Sequence, residues 1–254
     1  MAEYTLRSWI RPSRLSWYRV NLHPNAVHYL EANPERIDRH YICANPAALH
    51  LLVHFDWHYL SENPAAIHLL EANPEEIVWT FLSLNPAAIH LLEANLNLVD
   101  WTNLSRNPAA IHILEANPEK IVWFSLSENP AAIHLLEANQ DKINWHSLSL
   151  NPAAMHLLEA NRNKINWSLL SQNPSALSLL KANPYKIDWL NLSRNPAAID
   201  ILEANQEKVD WHYLSFNPAI FIKNEWDYFF TLSLFILLQA ILLKFLYPIR
   251  IKYY

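Results

Sequence analysis

The chain has 254 residues, a formal net charge of −5, one cysteine and no glycine. P-loops, dinucleotide-binding fingerprints, nucleophile elbows and EF-hand loops all need glycine for a special backbone angle or a close approach, so the composition excludes these sites. A disulfide within the chain is excluded as well, and we expect Cys43 to be a small buried residue.

The charge is distributed unevenly along the chain. Residues 1–44 carry six Arg against four acids, residues 45–216 carry nine Lys and Arg against 18 acids, and residues 217–254 carry four basic residues against two acids. An acidic central body repels phosphate groups, so this distribution argues against nucleic-acid binding. The N-terminal sequence has no apolar core of the kind found in signal peptides, and no signal peptide is expected.

A repeat with a period of 22 residues dominates the sequence. The pattern NPAAIHILEANPEKIVW, which starts at Asn107, returns with small changes, and such a period predicts a stack of similar units. Residues 1–22 form a degenerate half-repeat, expected to be an N-terminal cap, and residues 23–216 form the repeat array. The unit that starts at Asn45 is four residues short. Residues 217–254 form a terminal half-repeat with an apolar C-terminal helix.

Two short helices are predicted in each unit. Asn107 is suited to the N-cap position and Pro108 to the first turn, so the first helix should run from Pro108 to Ala116. Residues 117–121 read as a turn. A second helix, with the pattern Trp-x-x-Leu-Ser, follows an Asp or Asn N-cap in most units. The fold class is therefore an all-α solenoid, right- or left-handed, of 22-residue units with two short helices each. The pattern of leucine-rich repeats does not fit.

Several positions form columns along the stack. The tryptophan column is expected to be structural core between the helix layers, although an aromatic groove for a ligand is an alternative. Its members are Trp79, Trp101, Trp123, Trp145, Trp167, Trp189 and Trp211. Asparagine caps are expected at Asn85, Asn107, Asn129 and Asn151.

A polar column lies on the outer side of the first helix. It contains histidines followed three positions later by glutamates, and it is the candidate partner-binding face; a plain solvated surface is the alternative. Adjacent histidines are too far apart to share a zinc ion, so a metal site is disfavoured here and also at the His54–His58 pair. The column consists of His68, His90, His112, His134 and His156, with Glu71, Glu93, Glu115, Glu137 and Glu159.

No nucleophile–base pair or carboxylate dyad stands out from the repeat. The sequence therefore predicts no catalytic residues, no metal ligands, no cofactor and no small-molecule substrate.

The C-terminal segment is strongly apolar. Residues 228–243 contain no charge, and their extension to residue 247 gives a length that could span a bilayer. The possible membrane segment includes Tyr228, Phe235, Leu242 and Tyr247. The alternative is an apolar helix that caps the last repeat.

The unit NPAAIHILEANPEKIVWFSLSENP, from Asn107 to Pro130, resembles a repeat that is abundant in proteins of giant DNA viruses of amoebae. The family pattern, roughly LSxNPxAIxLLxxNxxKIxWxxLSxNP, is similar to residues 45–218 almost throughout and to residues 23–44 more loosely. The motifs NPAIF at residues 217–221 and YPIRI at residues 247–251 also look like the ends of such proteins, which favours a terminal helix over a membrane span. The resemblance implies a helical repeat fold and a location in the host cytoplasm or the virion. It implies no activity.

The sequence thus predicts a non-enzymatic repeat scaffold that binds a protein partner through its exposed face. The alternative is a membrane-anchored adaptor with a C-terminal transmembrane helix.

Overall fold

The computed structural model describes residues 4–224. Most of them lie in short helices that recur regularly, with very little sheet, so the predicted all-α repeat fold is confirmed. A typical unit has two α-helices. The A helix follows the Asn-Pro-Ala-Ala segment, and the B helix begins at the repeated tryptophan. A 3-10 turn precedes the B helix in most units and the A helix in many.

Each A helix has six residues, and the B helices have four to six. The A helices are Val27–Ala32, Ile67–Ala72, Ile89–Ala94, Ile111–Ala116, Ile133–Ala138, Met155–Ala160, Leu177–Ala182 and Ile199–Ala204. The B helices are Trp17–Val20, Trp57–Glu62, Trp79–Leu82, Trp101–Arg106, Trp123–Leu126, Trp145–Leu148, Trp167–Gln172, Trp189–Leu192 and Trp211–Leu214. Two further segments in equivalent positions, Tyr41–Ala44 and Leu49–Leu51, are 3-10 turns. Two strands complete the fold: β1, Tyr4–Leu6, and β2, Phe221–Lys223.

The start of each unit is set by its Asn-Pro pair. The Asn107 side chain accepts a hydrogen bond from the backbone N–H of Ala109 at 3.0 Å, and Pro108 has no N–H to satisfy. The predicted single helix from Pro108 is in fact a 3-10 turn over Pro108–Ala110 followed by the α-helix Ile111–Ala116. The backbone of Ala110, at φ −95° and ψ 10°, separates the two.

The A helix ends without glycine. Asn117 takes φ −133° and ψ 60°, and its side-chain Nδ2 donates to the carbonyl of Ile113 at 2.8 Å. No residue between 4 and 224 has a positive φ. Because asparagine can satisfy a helix-end carbonyl with its own amide, the turn needs no left-handed residue. This explains how a chain without glycine can make so many turns.

The core is a continuous stack of small and branched side chains. Each A helix contributes a fully buried leucine such as Leu114, and the segment before it contributes a fully buried alanine such as Ala110. Each B helix contributes another buried leucine such as Leu126, except the first, which contributes Val20. Short helices are marginal in isolation, so this shared burial stabilises them. Cys43 is also buried in the core, and burial raises the pKa of its thiol.

Neighbouring units are joined by buried side-chain hydrogen bonds. Nδ2 of Asn129 donates to two backbone carbonyls of earlier units, that of Asn107 at the start of the preceding unit and that of Ser105 just before it, each at 3.1 Å. Oγ of Ser105 donates to the carbonyl of Trp101 at 2.7 Å and accepts from the N–H of Val122 at 3.1 Å. The asparagine and serine columns therefore cap helices within a unit and also link each unit to the next.

The same bonds join the two ends of the chain. The N–H of Ser16 donates to Oγ of Ser215 at 2.8 Å, and Nε2 of His23 bonds the carbonyl of Ser215 at 2.9 Å. These are the contacts that the next serine and asparagine links would make, with His23 in the place of an asparagine. Strands β1 and β2 pair antiparallel beside this junction, with Tyr4 opposite Lys223 and Leu6 opposite Phe221.

The array is therefore a closed ring. From Trp17 to Trp211 the described part contains ten B segments, one for each unit, and the tenth unit packs on the first. The sequence treats residues 1–22 and the terminal half-repeat as separate caps, whereas in the structure the N-terminal half-repeat completes the unit begun at Asn217. The two half-units thus form one complete unit where the chain ends meet.

Candidate partner-binding surface

The polar column on the A helices forms ion pairs between units. In each case Nε2 of a histidine lies 2.7–2.8 Å from Oε1 of the glutamate 19 residues earlier, in the preceding unit. We call this the His–Glu ladder; it consists of His90–Glu71, His112–Glu93, His134–Glu115 and His156–Glu137. Both partners remain about half exposed: the His112 side chain is 55% exposed and Glu93 is 50% exposed.

The ladder has an irregular beginning and a defined end. Glu31 bonds two histidines, His50 at 2.8 Å and His28 at 3.1 Å, and the hydrogen bond with His50 lowers the pKa of Glu31. Among the residues that the structure describes, His68 has no glutamate partner, because the residue 19 positions earlier is Leu49. At the other end Glu159 would pair with position 178, which is serine. The candidate face is thus one continuous stripe with an unpaired histidine before it and an unpaired carboxylate after it.

Metal binding gains no support from this arrangement. Among residues 4–224 no group of three or more His, Cys, Asp or Glu side chains could hold a metal ion. His54 and His58 do not converge: Nδ1 of His58 lies 3.5 Å from Asp56, and the ring of His54 packs against that of His40.

The tryptophan column carries a second, different ladder. The indoles are half-buried against the core rather than fully buried, except Trp211, which is 6% exposed. A lysine or arginine three residues before the next tryptophan covers each of several rings, an arrangement we call the Trp–cation ladder. Its pairs are Trp17–Arg36, Trp123–Lys142, Trp145–Lys164, Trp167–Lys186, Trp189–Lys208 and, across the ring junction, Trp211–Arg14.

The Trp–cation ladder is interrupted in one part of the ring. The position that would cover Trp57 holds Glu76, and the position that would cover Trp79 holds Leu98. Lys120 follows at the next position, but within the described range it makes no such contact with Trp101. Sequence reasoning missed this gap. A signal for it exists, because no lysine or arginine occurs between Arg39 and Arg106.

The same part of the ring exposes several large apolar side chains. Val53 is 86% exposed, Phe55 is 43% exposed, and Leu96 and Leu98 are 38% and 44% exposed. Val53 lies in the shortened unit, which lacks the 3-10 turn that precedes the B helix in most units. We refer to residues 40–105 as the acidic sector, since they carry seven carboxylates and no lysine or arginine.

The predicted asparagine caps occupy the positions described above for Asn107. Asn85, Asn129 and Asn151 each accept a hydrogen bond from the backbone N–H two residues later, at 2.9–3.0 Å. Each is also fully or almost fully buried. These residues are committed to the ring interior and are not available to a partner.

The predicted membrane segment, with Tyr228, Phe235, Leu242 and Tyr247, lies outside the described residues. Over residues 4–224, no helix has the length and apolar character required to cross a bilayer.

Comparisons with known proteins give no relative. No family model matches the chain, and neither the curated proteins nor the solved structures contain a significant match. The resemblance to the repeats of giant amoebal viruses therefore rests on the 22-residue motif alone and stays a prediction.

Proposed function

We propose that this protein is a non-enzymatic scaffold that binds a protein partner through the exposed A-helix face of its ring. The observation that carries the proposal is the His–Glu ladder, a continuous stripe of half-exposed polar side chains across successive units. Long regular surfaces of this kind are the usual binding sites of repeat proteins. Each rung offers an imidazole and a carboxylate within 2.8 Å, so a partner can exchange hydrogen bonds at every unit.

A binding partner loses little free energy when it breaks a His–Glu pair of the ladder. Exposed ion pairs typically contribute about 0–1 kcal/mol, so a partner that replaces one of the two groups displaces a weak interaction. The ladder can therefore hold the side chains in a fixed orientation in the free protein and still yield them on binding.

The test replaces two adjacent histidines, His112→Gln and His134→Gln, in the full chain. Glutamine retains a hydrogen-bond donor but not the imidazole. We expect the double variant to fold normally and to lose at least tenfold in crosslinked partner, quantified by mass spectrometry against the parent protein. The matched control, His146→Gln with His212→Gln, alters two exposed histidines on B helices and should capture the partner normally. Unchanged capture by the ladder variant would remove this face from the proposal.

We propose the cytoplasm of an infected host cell, or the virion, as the setting. This rests on the resemblance of the repeat motif to giant-virus repeats. Identification of the crosslinked partner as a virion component or a host cytoplasmic protein tests it.

A membrane-anchored adaptor is the second candidate, favoured by the uncharged run of residues 228–243. Alkaline carbonate extraction of membranes from cells that express the full chain or residues 1–227 distinguishes the two. If only the full chain stays in the pellet, the C-terminal segment is an anchor. If both proteins are extracted, the scaffold acts without one.

A further inference from the structure

The cations that cover most tryptophans of the Trp–cation ladder indicate which kind of ligand the remaining tryptophans would bind. At five positions inside the ring and once across the junction, a cationic group lies over a half-buried or buried indole, as Nζ of Lys164 does over Trp145 at 4.2 Å from the ring centroid. The repeat geometry therefore brings the residue 19 positions after a tryptophan close to its ring in these units. At Trp57 and Trp79 the residue at that position is not a cation.

The gap is at Trp57 and Trp79, two neighbouring members of the column. Lysines 19 residues after a tryptophan cover its ring at Trp123, Trp145, Trp167 and Trp189, although in the described structure Lys120 does not cover Trp101. The corresponding positions for Trp57 and Trp79 hold Glu76 and Leu98. Phe55 packs edge-on against Trp57, with ring centroids 5.6 Å apart, and adds a second aromatic surface. Adjacent indole and phenyl rings, with carboxylates in the same sector, form the chemistry that attracts an alkylammonium or guanidinium group.

The surroundings select the same kind of ligand. Glu75 and Glu76 are exposed, and neither has an ion-pair partner within the described residues. The exposed apolar side chains of Val53, Leu96 and Leu98 lie in the segments between the A and B helices of the same sector. Since the acidic sector has no lysine or arginine at all, its field favours a basic partner over a neutral one.

We propose that the acidic sector docks a basic, amphipathic segment of a partner protein, whose lysine or arginine side chains bind over Trp57 and Trp79 as the chain's own cations do at other tryptophans. The inference rests on the proposed scaffold function and gives it a second surface with a defined partner chemistry. Neighbouring units are roughly 10 Å apart, and three residues in the polyproline II conformation span about 9 Å and return to the same side of the chain. Two basic residues separated by two apolar ones therefore match the two sites.

The experiment measures binding of a fluorescent peptide in which two lysines are separated by two leucines. A control peptide has glutamates in place of the lysines. The full-length protein should bind the lysine peptide at least tenfold more tightly than the glutamate peptide, with a change in tryptophan fluorescence. Equal binding of the two peptides would overturn the proposal.

The decisive variant introduces a lysine at each of the two positions that lack a covering cation. Glu76→Lys with Leu98→Lys places a lysine at both covering positions, as in the other units, so the ring should remain folded while peptide affinity falls at least tenfold. Glu119→Lys makes an exposed charge change in a turn outside the acidic sector and should alter affinity less than twofold. Undiminished binding by the double variant would show that the indole faces are not the site.

Failure of this inference and failure of the proposed function give different results. If the peptide does not bind but crosslinked partner still depends on His112 and His134, only the docking site is wrong. In the opposite case the peptide binds, the variant Glu76→Lys with Leu98→Lys abolishes that binding, and the variant His112→Gln with His134→Gln still captures the partner normally. The docking site is then supported, and the A-helix face is not the partner-binding surface.

Discussion

The junction between the chain ends and the junctions between consecutive units make the same contacts with different residues. Inside the array, Asn129 links to the carbonyl of Ser105; at the chain ends, His23 links to the carbonyl of Ser215. A lysine over tryptophan inside the array becomes Arg14 over Trp211 at the junction, 4.5 Å from the ring centroid. The comparison shows that the interface between two units requires hydrogen-bond donors and cations at fixed positions. This requirement also holds at the junction, where no peptide bond joins the two units.

The junction also carries contacts that internal interfaces lack. The β1–β2 pair and the edge-on contact of Trp9 with Trp211, at 6.1 Å between ring centroids, occur only beside it within the described residues. The guanidinium of Arg19 lies 3.7 Å from the Phe216 ring centroid. These additions compensate for the missing covalent connection, which inside the array keeps neighbouring units at high effective concentration.

The largest effect is expected from opening the ring. Deletion of residues 1–22 removes three buried core side chains, Ile10, Leu15 and Val20, and exposes the surface of the last unit. At about 1.5–3 kcal/mol for each side chain, the loss is roughly 5–9 kcal/mol. Guanidinium unfolding should show a much lower midpoint, and size-exclusion chromatography should show association through the uncovered end.

A milder control for the deletion is Val20→Ala, which keeps the N-terminal half-repeat and removes only part of one buried side chain. This variant should lose a few kcal/mol at most and stay monodisperse. If the deletion variant were as stable as the intact chain, the two ends would not form an interface.

A smaller effect should separate the two kinds of junction. Asn129→Ala removes both donors to the preceding unit and leaves the Ala131 N–H without its cap, so we expect a loss of about 3 kcal/mol. His23→Ala removes one bond to the Ser215 carbonyl and should cost about 1–2 kcal/mol. Urea titrations of the two variants measure the difference. Equal losses would contradict the view that the internal link is the stronger one.

The smallest effect is a pH dependence confined to the ring junction. Burial lowers the pKa of His23 below its usual value of 6.5, while the hydrogen bond with Ser215 acts in the opposite direction. Folded His23 therefore binds a proton less readily than unfolded His23. Its contribution to stability is complete above pH 6.5 and declines as the pH falls below that value toward the folded pKa.

The matched variant for this effect is His23→Asn, which restores the residue found in the other units. Asparagine does not titrate, so the difference in unfolding free energy between the two proteins should change between about pH 8 and pH 5, with the parent losing more. A difference that stays constant over this range would show that His23 does not titrate at the interface.

The sequence predicts those features that depend on one unit at a time. Asn107 and Pro108 start a helix, Asn117 ends it, and Asp100 caps the preceding B helix by accepting from the N–H of Asn103 at 2.8 Å. All three act on backbone groups within four residues, where propensity and capping rules apply. The period of 22 then repeats the unit, and the all-α architecture follows.

Features that depend on the placement of one unit against another were not predicted. The histidines of the ladder bond glutamates 19 residues earlier, whereas the sequence spacing draws attention to the glutamate three residues later. The lysine that lies over a tryptophan comes from the next unit, as Lys164 lies over Trp145. Ring closure depends on a small rotation added at every unit, which no local pattern records.

Closure also limits how such a gene can change in length. An open stack can gain or lose a copy of its repeat at little cost, because the free ends simply move. Here ten copies complete a full circle, so each turns the chain by about 36°, and an eleventh copy would leave the ends overlapping while a ninth would leave them apart. Unequal recombination, the process that normally expands tandem repeats, would therefore be selected against once the circle had formed. The sequence would then change by substitutions within a fixed number of copies. The residues that differ between copies would distinguish this protein from other rings of the same repeat.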